Sequence, residues 1–138
     1  MLIVGSNYAY LRRMITREVE ERDNIIFVRG SGAWTRAEVD EHFRELRRVI
    51  QDMRNAARPI RILSDVTLAE RQLPELEAHI KRQHSQTYKS GDRVALLVRD
   101  LDDKQHARAA LGLADVAAFN SQLAAEMWLV EDSLKRPA

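Results

Sequence analysis

Apolar residues recur through residues 35–55 at a spacing that gives a helix one oily side. Val39, Phe43, Leu46, Ile50 and Met53 stand three or four positions apart, so they share one stripe of a helix with 3.6 residues per turn. Asp40, Glu41, Glu45, Arg48 and Asp52 lie away from that stripe. Thr35 and Glu38 form T-x-x-E at its start. This pattern predicts a capping box, in which the hydroxyl takes a free N–H of the first turn and the carboxylate reaches back to the cap. Asp40 and Arg44 are one turn apart and predict a surface pair worth at most about 0.5 kcal/mol. The flanking runs NIIFVRG (24–30) and IRILSDV (60–66) are short and rich in β-branched residues, which suits strands. Strand, helix, strand in succession predicts a parallel pair joined by a right-handed crossover.

Further elements follow by the same periodicities. Met14–Glu20 alternates apolar with polar residues and reads as a half-exposed strand, joined through a turn at Arg22-Asp23-Asn24 to the strand at Ile25–Arg29 as a β-hairpin. Pro59 ends the central helix by biasing Arg58 away from helical geometry. Pro74 is placed to open a second helix, with Leu76, Ile80, His84 and Tyr88 as its stripe and His79 off it, in solvent. RVALLVR (93–99) is apolar through its middle, the mark of a strand covered on both faces. Asp102 with Gln105 predicts the start of a third helix, whose Ala107, Ala110, Leu111 and Ala114 share a face. Val116–Phe119 is a short last strand. A final helix, capped by Asn120 or Ser121, carries Leu123, Met127, Val130 and Leu134. The order β-β-α-β-α-β-α-β-α implies an α/β fold with a mixed sheet of about five strands and about four helices, in one domain over 1–138. Residues 1–13 are open to flexibility or an interface role, and 133–138 form a polar tail.

Composition narrows the classes. The chain has 138 residues, enough for one core without staples. A formal net charge of +1 lacks the basic excess of a general nucleic-acid binder. There is no cysteine, hence no disulfide frame and no thiolate metal site. MLIVGSNY is too short for a signal peptide and lacks a basic flank, and no apolar run approaches the roughly 20 residues of a membrane span. The cytoplasm is the default compartment.

Several local features together resemble the STAS-like, or SpoIIAA-like, proteins, in particular an uncharacterised bacterial branch related to the CRAL-TRIO fold. They are the strand hairpin, the turn with Gly30 and Gly32, the Thr35/Glu38 helix start, the strand ending at Asp65, the RVALLV strand, and the closing Phe119 followed by Glu126-Met127-Trp128-Leu129. The resemblance covers about residues 14–132. It implies a STAS-like fold serving binding or protein interaction, with homodimers as one form. Members that act as phospho-switches carry Asp-Ser-Ser-Gly at the start of the helix after the central strand. Here that region reads Gln72-Leu73-Pro74-Glu75, with no serine, which leaves the phospho-switch as a less favoured alternative.

Candidate chemistry is sparse. Ligands of open α/β sheets gather beyond the carboxyl ends of parallel strands, which brings forward Trp34, Asp65, Thr67 and Asp100 as the lining of a binding crevice. The same residues also suit plainer roles, the two aspartates capping turns and Trp34 covering the sheet edge. Gly30-Ser31-Gly32-Ala33-Trp34-Thr35 lacks the third glycine of a dinucleotide loop. Asp100, Asp102 and Asp103 cluster too tightly to surround a cation, and no two histidines have H-x-x-x-H spacing. Ser64, His84 and Asp65 could be imagined as a triad, but G-x-S-x-G is missing. Arg44, Arg47, Arg48, Arg54, Arg58 and Arg61 read as a solvated, mixed-charge surface. The sequence therefore favours a non-catalytic binding or interaction module without cofactor or metal. Its partner is itself, another protein or, alternatively, a small apolar ligand as in CRAL-TRIO proteins. An enzyme would need Asp65, Asp100 or His84 gathered in one pocket.

Overall fold

In the computed structural model, which describes residues 13–20, 23–112 and 115–135, the capped stripe is a helix lying on a sheet. The elements are β1 (Arg13–Glu20), β2 (Ile25–Gly32), α1 (Arg36–Asn55), β3 (Arg61–Ala69), α2 (Pro74–Thr87), β4 (Arg93–Leu97), α3 (Leu101–Leu111), β5 (Val116–Phe119) and α4 (Gln122–Lys135). The sheet order is β1-β2-β3-β4-β5. β1 and β2 form the antiparallel hairpin, and the other three pairings are parallel. Asn24 makes the hairpin turn with φ 55°, a left-handed conformation that asparagine tolerates. Residues 1–12 and Ala114, and with them the readings made on those positions, lie outside the described residues. α4 runs on to Lys135, into the segment expected as a tail.

Strand order explains the layering. It never reverses, so successive right-handed crossovers all step the same way and leave their helices on one face. Ile26, Val28, Ile62, Val94 and Leu96 point to that face and pack under Val39, Phe43, Leu46, Ile50 and Met53 of α1. α2 and α3 add Leu76, Ile80, Tyr88, Ala107 and Leu111 to the same core. The opposite face, with Ile25, Leu63, Ala95 and Leu97, is covered by Ala125 and Leu129 of α4.

The Thr35 cap is present in full: Glu38 N–H donates to the Thr35 hydroxyl at 3.1 Å, and Thr35 N–H to the Glu38 carboxylate at 2.8 Å. At the other end of α1, Arg54 donates twice to Asp92, at 3.1 and 2.6 Å, and Asp92 also accepts the Lys89 N–H at 2.8 Å. The Asp92 side chain is 7% exposed. One carboxylate therefore ties α1 to the turn that feeds β4.

Four expectations change. His79 is buried rather than solvated, because Asp40 faces α2 instead of Arg44. Asp40 accepts from His79 at 2.5 Å and from Gln83 at 2.8 Å, and Arg47 extends the ladder to Gln83 and Thr87. The hydrogen bond from His79 holds the Asp40 carboxyl below its ordinary value, against the desolvation that opposes it. Arg47 and Arg54 are thus tied into α1's neighbours rather than merely solvated. α3 is capped by Asp100, which accepts the Asp103 N–H at 2.9 Å. On α4, Leu123 and Met127 are exposed: the buried side is Ala125 and Leu129, where a small residue lets the helix approach Ala95.

Candidate functional site

Between the three-helix layer and the sheet, side chains do not fill the space. A cavity of about 180 Å³ remains. Its floor is Val28, Ile62, Ser64, Val66, Leu96 and Val98, and its roof includes Phe43 of α1, Ile80 and His84 of α2, and Ala107 and Ala110 of α3. Small residues on α3 are the local cause: no described residue of that helix is fully buried, and alanines stand where leucines would reach the floor. A bulge helps. β3 carries one extra residue against β2 between the Arg29–Asp65 and Ser31–Leu68 pairings, which shifts its alternation so that Ala69 as well as Val66 reaches the cavity.

Rings define one wall. His42 and Phe43 meet edge to face at 4.8 Å, Phe43 and His84 at 5.5 Å, and His84 and Tyr88 at 5.2 Å between centroids. Burial pushes the His84 pKa down to about 4, so the imidazole is neutral at neutral pH. Burial, reinforced by Asp92, pushes the Tyr88 phenol up. Trp34 closes another side. Its indole N–H donates to Ser31 O at 2.9 Å and its backbone N–H to the Gln72 side chain at 2.9 Å. Gln72 in turn donates to Gly32 O and Glu70 O, stitching the β2–α1 loop to the β3–α2 loop.

The mouth is polar, and its arginines are paired. Arg71 reaches Asp102 and Asp103 at 3.3 and 3.0 Å, and Arg99 reaches Asp103 at 3.1 Å. His106 and Glu77 pair at 2.7 Å, joining α3 to α2.

Of the four residues expected to share a crevice, Trp34 alone lines this cavity. Asp65 accepts from Thr67 N–H and Oγ1–H at 3.0 and 2.6 Å and lies 3.6 Å from Arg29. By strand alternation Asp65 shares the side of Leu63, away from the cavity. Asp100 caps α3. The cavity does open past the carboxyl ends of β3 and β4, where Arg71 and Arg99 stand, but Asp65, Thr67 and Asp100 are not among its lining. Ser64 and His84 do line the same cavity, while Asp65, the third member of the imagined triad, is on the other face. Among the described residues no group of three His, Asp or Glu is placed to hold a metal ion. Sequence reasoning misses Gln72 and the Ser64 hydroxyl as lining. His84 is visible in the Leu76–Ile80–His84–Tyr88 stripe, but only as packing.

Gly30 tests the Trp34 wall. A Cβ there would come within 2.5 Å of the Trp34 ring, and that ring is pinned by its bond to Ser31 O. Gly30→Ala is expected to cost about 1–3 kcal/mol by overpacking and to change Trp34 fluorescence. Unchanged stability and emission would place the ring elsewhere.

No protein-family model matches the chain, and no curated protein matches it in sequence. Among solved structures it is similar to an uncharacterised protein of the DUF3478 family from Shewanella loihica PV-4, which has a SpoIIAA-like fold. The TM-score is 0.63 at 16% identity, covering 84% of this chain and 92% of that one. The chain thus has a SpoIIAA-like α/β fold, as the pattern of residues 14–132 implied. No described helix is long and apolar enough to cross a membrane.

Proposed function

We propose that the protein is a non-catalytic binding module that holds a small, predominantly apolar molecule between its sheet and its helices. The observation that carries this is the cavity itself: about 180 Å³ of space walled mainly by Val, Ile, Leu, Ala and aromatic side chains. An apolar cavity of about 150 Å³ accommodates benzene. The site therefore suits one ring or a short branched chain with a small substituent. It falls below the roughly 300–1,000 Å³ of pockets for drug-sized ligands, which argues for a compact ligand and against a long acyl chain. Catalysis is not favoured, because the buried Nδ1 of His84 has no hydrogen-bond partner, so no carboxylate orients the imidazole to act as a base on Ser64. The start of α2 offers Leu73 and Pro74 where a phospho-acceptor would be needed.

Native mass spectrometry of protein purified from its own cells tests this. A small adduct is expected that leaves on denaturation. The released compound, re-added at about 100 times its Kd, should stabilise the fold by about 2.7 kcal/mol. A bare mass, with no stabilisation by any of a panel of ring-sized apolar compounds, contradicts the reading.

A further inference from the structure

Resting on that reading, we propose that the cavity selects a non-anionic ligand bearing a hydroxyl group, which hydrogen-bonds to the imidazole of His84. His84 lines the cavity and is 7% exposed. Its ring is fixed from two sides by the edge-to-face contacts with Phe43 and Tyr88. Its Nδ1 is buried with no hydrogen-bond partner, a rare arrangement in folded proteins. With Nδ1 sealed in, Nε2 is the nitrogen left to meet an occupant. A neutral imidazole offers either a donor or an acceptor there, depending on tautomer, and a hydroxyl answers both. A carbonyl answers one, and a hydrocarbon neither. Ser64, on the opposite wall, adds a hydroxyl as a further polar group.

Negative charge on the ligand is disfavoured for two reasons. The inner walls are apolar, so a carboxylate would lose its hydration there without an ion partner. His84 itself is held neutral by burial and supplies no positive charge. The cations near the entrance, Arg71 and Arg99, are already paired with Asp102 and Asp103, and Glu70 and Glu77 stand beside them. The mouth therefore offers no unbalanced positive site for an anion.

Three ring-sized probes separate the alternatives: the near-isosteric pair phenol and toluene, and the anion benzoate, titrated calorimetrically into the full chain at neutral pH. Phenol is expected to bind about five- to tenfold more tightly than toluene, the net worth of one hydrogen bond, and benzoate most weakly. In His84→Phe the phenol preference should vanish while toluene binding persists. Should that variant fail to fold, ¹⁵N-histidine spectra of the unaltered protein decide the point: phenol, and not toluene, should shift the His84 ring-nitrogen resonances. Equal affinity for phenol and toluene, or tightest binding of benzoate, overturns the hydroxyl assignment while leaving the cavity a binding site. Failure of all three to bind overturns the binding-module reading, and this inference with it.

Discussion

Asp92→Ala is expected to destabilise the protein by about 3 kcal/mol, the lower end of what breaking a buried ion pair costs. The lower end applies because Arg54 keeps 23% of its side chain exposed and recovers some hydration when its partner is removed. The truncation does two kinds of damage. It strands the Arg54 guanidinium, which donates to both Asp92 oxygens, and it leaves the Lys89 N–H without its acceptor. Asp92→Asn separates them: the amide oxygen can still take the Lys89 N–H, so roughly a third of the loss should return, a neutral hydrogen bond being worth about 1 kcal/mol. Urea unfolding should show a lower midpoint at unchanged slope. A loss below about 1 kcal/mol, the range of exposed pairs, would mean that this contact is a screened surface pair.

Acidification is expected to weaken the fold through His84. Its folded pKa, about 4, lies below its ordinary value of 6.5, so between those values the unfolded chain takes up the proton and the folded chain does not. Stability is therefore full above pH 6.5, falls as pH drops through the window, and levels off near pH 4. The total is about 3 kcal/mol, since each pH unit crossed in that window removes about 1.4 kcal/mol. Asp40, held low chiefly by His79, also loses stability on acidification, but across a window that begins below its ordinary 3.8. The comparison is thus made against His84→Phe, in which the loss between pH 6.5 and 4 should flatten. An unchanged pH dependence in that variant would place the responsible group elsewhere.

The fold is largely legible in the chain because its signals are local. The Val39–Met53 stripe, the Thr35/Glu38 box and the β-branched runs at 24–30 and 60–66 each report one element, and crossover handedness fixes how they stack. Helix phase is less legible where two sides of a helix are apolar. On α4, Leu123 and Met127 share helical spacing just as Ala125 and Leu129 do, and only the closeness of Ala95 favours the smaller pair. His79 reads as solvated because its partner Asp40 is 39 positions away in sequence. The candidate site is the least legible part. Trp34 stands out as a large ring near a strand end. Asp65 and Thr67 stand out by the same rule, yet they bond each other and neither lines the cavity. The cavity depends on what is missing, namely bulk at Ala107 and Ala110, and on an added residue in β3. Neither a void nor a bulge leaves a periodic mark.

Crystals pressurised with xenon test the central claim most directly, since xenon enters apolar cavities. The expected result is a single strong anomalous peak between Phe43, Ile80, Leu96 and Ala107, with the surrounding side chains unmoved. A space closed by collapse of α3 onto the sheet, or filled by a hydrogen-bonded file of waters that xenon does not displace, would contradict the account.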